Sequence, residues 1–246
     1  MTAKDKLIVA LDCDTTDRAL ALVGELRDSV GMFKVGMQLF TAAGPDFVRR
    51  IVAQGNRVFL DLKYHDIPNT VALAAVEATR LGVSLFNIHT SGGSEMMKWT
   101  ADAVARTAVH ENLRAPKVLG VTLLTSIDRK TLDEVGISGQ PSEIVGRLAN
   151  LAQESGLDGV VASAQEIELI RQAVPGSDFL IVTPGIRSST DDLQDQRRTM
   201  TAGEAIRAGA DYIVVGRPII KAADPGAAVH RFVSEIQTAQ ARASQA

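Results

Sequence analysis

The chain has 246 residues, a formal net charge of -3, 46% hydrophobic residues and one cysteine. That length suits a large core and a single α/β barrel, while the slight acidity leaves no electrostatic case for nucleic acid or an anionic membrane surface. Cys13 alone excludes an internal disulfide, fits a reducing cytosol and hence a cytoplasmic location, and reads as a packing residue. The opening Met1 to Lys6 runs into an apolar stretch that Asp12 interrupts, which reads as neither signal peptide nor membrane span.

Short apolar runs alternate with helical patterns along the whole chain. Leu7 to Leu11 reads as the first strand, and Thr16 to Asp28 as an amphipathic helix with Thr15 and Thr16 as N-cap candidates. Met32 to Met37 is the second strand, followed by a helix from about Pro45 to Ala53. The third strand, Val58 to Asp61, precedes a helix from Val71 to Arg80 that Gly82 stops. Leu85 to Thr90 is the fourth strand, and the Gly92-Gly93 turn leads to a helix containing Met96, Met97 and Val104. The second half repeats the rhythm with strands Val118 to Leu124, Gly159 to Ala162, Phe179 to Thr183 and Tyr212 to Gly216. Their helices are Ser142 to Ala152, Gln165 to Ala173, Ala202 to Ala208 and about Pro225 to Gln240. Strands that scarcely alternate, each with a helix behind it, predict a parallel sheet buried on both faces. The strand count predicts a closed (β/α)8 TIM barrel, with residues 1–246 forming one catalytic domain. Two polar stretches, Thr125 to Gln140 and Arg187 to Thr199, read as long loops, either lids or disordered segments.

The third strand ends in Asp61-Leu62-Lys63-Tyr64-His65-Asp66-Ile67-Pro68-Asn69-Thr70, so a very apolar run gives way to charges of alternating sign. In a strand Asp61 and Lys63 share a face. Taken alone they fit an ion pair at a strand edge as well as a reactive pair. In a barrel, however, active sites lie at the carboxyl ends of the strands, where Asp12, Lys34, Asp61 and Lys63 converge from three neighbouring strands. Two carboxylates interleaved with two lysines favour the ammonium form of both.

A second constellation closes the last two strands. Pro184-Gly185-Ile186-Arg187 and Val215-Gly216-Arg217-Pro218-Ile219 stand where barrels bind phosphate. Gly216 singly is an ordinary strand-ending glycine. With Arg217 behind it, the pair offers close backbone approach and a guanidinium fork to an anion. His65, His89, His110 and His230 have no metal-ligand spacing, and no Gly-x-Gly-x-x-Gly ends a strand, so neither metal nor cofactor is expected.

The segment from Asp61 to Thr70 resembles the signature of the orotidine 5'-phosphate decarboxylase family. The likeness extends over nearly the whole chain, through Val9-Ala10-Leu11-Asp12, Phe33-Lys34-Val35-Gly36, Val121-Thr122-Leu123-Leu124-Thr125-Ser126, Asp195-Gln196-Arg197-Arg198 and both strand-end motifs above. The Asp-x-Lys-x-x-Asp core is shared with related decarboxylases; the Asp-Ile-Pro-Asn-Thr continuation is the specific part. The resemblance implies cofactor-independent decarboxylation of orotidine 5'-monophosphate to UMP and CO2, the last step of UMP biosynthesis, by a homodimer with shared active sites. It further implies Lys63 as proton donor to C6, Asp61 beside the departing carboxylate, and Lys34 with Asp12 on the ribose and in the charge network. Asp66 and Thr70 match residues that reach a partner subunit's site, and Thr125, with Ser126 as a further candidate, a pyrimidine contact. Gln196, Gly216 and Arg217 match a phosphate grip, with Arg187 as an additional substrate contact. The rival expectations are a metal-dependent sugar-phosphate decarboxylase on the same barrel, a Schiff-base aldolase using Lys63, and a module that only sequesters a nucleotide. Lys34 and Lys63 place positive charge where a divalent ion would have to sit, which disfavours the first.

Overall fold

The computed structural model describes residues 1–176, 178–187 and 200–243. Eight parallel strands close into a barrel: β1 (Leu7–Ala10), β2 (Met32–Gly36), β3 (Val58–Tyr64), β4 (Leu85–His89), β5 (Lys117–Val121), β6 (Gly159–Val161), β7 (Leu180–Thr183) and β10 (Tyr212–Val215), the last pairing with β1. A separate two-stranded sheet joins β8 (Ile186–Arg187) to β9 (Met200–Thr201), a pairing across the two ends of the Arg187 to Thr199 stretch that the sequence reading does not include. The predicted (β/α)8 architecture is therefore the observed one.

Helices α1 (Thr16–Leu26), α2 (Met37–Ala53), α3 (Pro68–Arg80) and α4 (Gly93–His110) follow the first four strands. After β5 come α5 (Arg129–Glu134) and α6 (Pro141–Glu154); α7 (Ile167–Ala173) follows β6, and α8 (Ala202–Ala208) follows β9. Two helices complete the chain, α9 (Arg217–Ile220) and α10 (Pro225–Ala243). Differences from the expected boundaries have local causes. A helical piece from Met37 precedes the helix expected from Pro45: Gly44, at φ 69° and ψ -175°, breaks the helical geometry, so α2 is two helices in series and the second begins where Pro45 predicts it. The stretch expected as a loop from Thr125 to Gln140 contains α5, whose N-cap Asp128 accepts a hydrogen bond from the Thr131 backbone N–H.

Alternation along the strands sorts the apolar side chains into two cores. Leu7, Val9, Phe33, Val35, Leu60, Phe86 and Ile88 face the helices, while Ile8, Ala10, Met32, Phe59, Leu85, Leu119, Val182, Tyr212 and Val214 fill the barrel. Each interior position repeats after two residues. On β2, β3 and β4 the residues two beyond Met32, Phe59 and Leu85 are Lys34, Asp61 and Asn87. The apolar filling thus gives way, one layer toward the carboxyl rim, to three polar side chains on consecutive strands. Cys13 is buried in the outer core, and burial pushes its thiol up, in keeping with a packing role.

Candidate active site

A chain of ion pairs runs across that rim. Lys34 Nζ lies 3.1 Å from Asp12 Oδ1 and 3.2 Å from Asp61 Oδ2, and Lys63 Nζ lies 2.5 Å from Asp61 Oδ1. The middle of the chain is dry and its end is wet: the Lys34 and Asp61 side chains are 11% and 14% exposed, that of Asp12 52%. Burial by itself would raise the Asp61 carboxyl, but Lys34 and Lys63, with hydrogen bonds from Lys63 and Asn87, together hold it below the ordinary carboxylate range. Burial likewise opposes the Lys34 ammonium, and the two flanking carboxylates reverse it, leaving Lys34 above its ordinary value.

Asp61 and Lys63 meet, as their spacing predicts, although the backbone at Lys63 departs from regular strand geometry. Pairing of β3 with β4 loses register between Leu60 and Tyr64, and Lys63 adopts φ 52°, the left-handed region that favours glycine. Asn87, fully buried on β4, braces the distortion. Its Oδ1 accepts from the Lys63 backbone N–H at 2.8 Å, and its Nδ2 donates to Asp61 Oδ1 at 2.7 Å. The sequence reading passed over Asn87 as a strand residue. A buried amide between Phe86 and Ile88 must find hydrogen-bond partners, and that requirement was the available signal.

Lys34, Asp61 and Lys63 line a cavity of about 270 Å³. Its other walls are apolar or weakly polar: Phe59, Val121, Leu123, Leu124, Val161, Ala162, Pro184 and Val214, together with Thr125 and Ser126 from the loop after β5. Thr125 and Ser126 therefore stand across the same space as the ionic chain. Gly216 ends β10 beside Asp12: a Cβ there would come within 3.3 Å of Asp12 Oδ2 and 3.4 Å of the Ala10 Cβ. Arg217 follows as the first residue of α9, and the buried Arg187 donates from Nη1 to the Ile186 carbonyl at 3.2 Å. Gln196 lies outside the described residues.

Asp66 and Thr70 stand apart from this cavity. Both are exposed, and Asp66 Oδ1 accepts a hydrogen bond from the Ile67 N–H at 2.6 Å. Beside them Ile67 and Leu73 are also exposed. Behind the rim the rings of His65 and His89 lie 5.3 Å apart between centroids. Burial first, then the His65 and Lys63 charges, push the His89 imidazole below its ordinary value.

Ionised side chains gathered over a cavity at the carboxyl end of a closed parallel barrel define a barrel enzyme of the kind that works by fixed charges. Residues 5–232 match the Orotidine 5'-phosphate decarboxylase / HUMPS family. Two proteins named orotidine 5'-phosphate decarboxylase are similar over almost their whole length: that of Syntrophotalea carbinolica, 54% identical over 96% of this chain and 97% of its own, and that of Geobacter sulfurreducens, 53% identical over 95% and 97%. The solved structure of orotidine 5'-phosphate decarboxylase from Lactobacillus acidophilus superposes with a TM-score of 0.83 at 39% identity, covering 94% of this chain and 98% of that one. The chain belongs to the orotidine 5'-phosphate decarboxylase / HUMPS family.

Proposed function

We propose that this protein decarboxylates orotidine 5'-monophosphate to UMP and CO2 as the last step of UMP biosynthesis, with residues 1–246 acting as one catalytic domain. The observation that carries the proposal is the Asp61 carboxylate held between the Lys34 and Lys63 ammonium groups at the wall of the cavity. Breaking the bond from C6 to the carboxylate leaves an electron pair in the plane of the pyrimidine ring, where it cannot delocalise into the π system. The protein must meet that charge with groups already in position. The Lys63 ammonium does so electrostatically and then transfers its proton to C6, forming the new C–H bond as CO2 departs. Lys34 and Asp61 hold Lys63 in place and, with Asp12, complete the network that faces the ribose. Thr125 and Ser126 are assigned to the pyrimidine, and Gly216 and Arg217, with Arg187 and Gln196, to the 5'-phosphate. Binding energy from that distal phosphate supports closure and orientation and so appears in the chemical step.

The metal-dependent sugar-phosphate decarboxylase is the weaker reading, because both oxygens of Asp61 already face ammonium groups. A divalent ion would have to displace them. Asp66 and Thr70, exposed and outside the cavity of their own subunit, are assigned to the site of a second copy in a homodimer, with exposed Ile67 and Leu73 at the contact. The test of the function is the fall in ultraviolet absorbance as orotidylate becomes UMP, run with EDTA present. Turnover unaffected by chelator is the expected result, and UMP binding without turnover would replace the enzyme by a sequestering module.

A further inference from the structure

We infer that Asn87 is a positioning residue for the decarboxylation: one buried amide holds both the backbone of Lys63 and the carboxylate of Asp61 in their working geometry. The inference rests on the proposed function and extends it to a residue that touches neither substrate nor the reacting atoms. Three observations point the same way. The Asn87 side chain is fully buried, so its amide has no access to water and its hydrogen bonds are obligatory. Both of those bonds end on residues of the ionic chain, at 2.8 Å to the Lys63 N–H and 2.7 Å to Asp61 Oδ1. Where they end, the backbone departs from strand geometry: Lys63 stands at φ 52° and the β3–β4 register shifts between Leu60 and Tyr64.

The chemistry of the two contacts admits few side chains. A backbone N–H requires an acceptor and a carboxylate oxygen requires a donor, and the two targets lie on residues 61 and 63 of one strand. An amide carries an acceptor and a donor on one rigid plane and reaches both. With the Lys63 N–H anchored, a lysine backbone stays in a region that lysine otherwise avoids, and the side chain starts from there toward Asp61. With Asp61 Oδ1 anchored, the carboxylate plane is fixed while Oδ2 faces Lys34 at 3.2 Å. Losing Asn87 therefore leaves every charge present but lets the proton donor drift from where it is needed.

The test uses Asn87→Ala and the nearly isosteric Asn87→Asp in the full-length protein, with orotidylate turnover and UMP affinity as readouts. Misplacement of a reacting group by about 1 Å costs on the order of a hundredfold in rate, so Asn87→Ala is expected to lose about that factor in kcat while UMP affinity stays unchanged. In Asn87→Asp a carboxyl buried beside Asp61 has a raised pKa, and its neutral form again offers one donor and one acceptor. The ratio of its kcat to that of the wild type should therefore climb as pH falls from about 9 to about 6. A near-wild-type kcat in Asn87→Ala, or a ratio for Asn87→Asp that stays flat with pH, would overturn the inference. So would proportional loss of kcat and UMP affinity, or failure of both variants to fold by circular dichroism, since either marks Asn87 as a residue of the fold alone. Wild-type protein assayed alongside separates the two claims, because its own failure to turn over orotidylate refutes the decarboxylase reading rather than the role of Asn87.

Discussion

Replacing Lys63 by alanine removes the ammonium 2.5 Å from Asp61 Oδ1 yet leaves a left-handed backbone at φ 52° for alanine to occupy. Two effects follow, and a parallel Lys63→Gly variant separates them. For activity, one preorganised electrostatic donor is worth roughly a hundred- to a thousandfold, and a positioned proton donor contributes on a similar scale. Because a single side chain fills both roles, kcat should fall by at least about a thousandfold, or about 4 kcal/mol of barrier, in both variants alike. For stability, Asp61 keeps Lys34 and Asn87, so the cost stays below the about 3–5 kcal/mol of an orphaned buried charge. The variants then part company on backbone strain. Alanine retains a left-handed penalty of about 1–2 kcal/mol that glycine escapes. At this chain length the glycine variant should melt about 2–8 °C above the alanine variant, the reverse of their usual order. Turnover is followed by ultraviolet absorbance and melting by calorimetry. A folded alanine variant with kcat within tenfold of wild type refutes the assigned role of Lys63, and a glycine variant melting below the alanine one refutes the strain argument.

Arg217→Ala should weaken orotidylate strongly and orotidine without its phosphate much less, as steady-state kinetics on both substrates would show; equal losses would make Arg217 structural. The Asp61 carboxyl, held below its ordinary 3.8, stabilises the fold above that pH, and the stabilisation is lost as pH falls through the depressed value. Lys34→Met removes one cause of the depression, so acid unfolding followed by circular dichroism should move to higher pH, and an unmoved midpoint would show that Lys34 does not set the Asp61 proton affinity. Mixing and re-equilibrating inactive Lys63→Ala and Asp66→Ala homodimers should recover roughly a quarter of wild-type activity, since random exchange gives about half heterodimers with one intact site of two. No recovery after demonstrated exchange would mean that Asp66 serves its own subunit.

The barrel was legible because its strands are short apolar runs and its helices carry periodic apolar faces, two signals that local sequence states directly. The residues around Gly44 were less so. Pro45 reads as a helix start and is one, but the helical piece before it, from Met37 to the break at Gly44, starts from Gly36 with no capping side chain to announce it. Helix α5 left a trace in Asp128 and in the Arg129–Asp133 spacing, both easily read as features of a polar loop. At the site, the charges of Asp61 and Lys63 announced themselves by contrast with Val58-Phe59-Leu60. The backbone at Lys63 announced nothing, because lysine has no preference for φ above zero and the cause sits on another strand, in Asn87.

The two ends of the barrel differ in what their charged side chains hold, and that contrast separates stability from chemistry. At the amino end, charged side chains tie down backbone: Asp158 Oδ2 accepts from the Val118 N–H, Asp211 Oδ2 accepts from the Ile181 N–H, and Arg171 donates to the carbonyls of Phe179 and Gly209. These charges satisfy groups that the strands leave open as they enter the barrel. Lys117–Asp158 and Arg171–Asp211 are also ion pairs, so there pairing and backbone anchoring go together; at the carboxyl end Asp12, Lys34, Asp61 and Lys63 pair with one another, and a neutral amide does the backbone work at Lys63. A fold gains little from burying the Lys34–Asp61 pair where apolar packing would serve as well. The arrangement, together with a strained lysine at its end, has a physical rationale when a developing negative charge is to be met in the same space. Strain and burial of this kind persist where the surrounding structure over-determines them, and Asn87 is the part of that structure which reaches both members of the reactive pair.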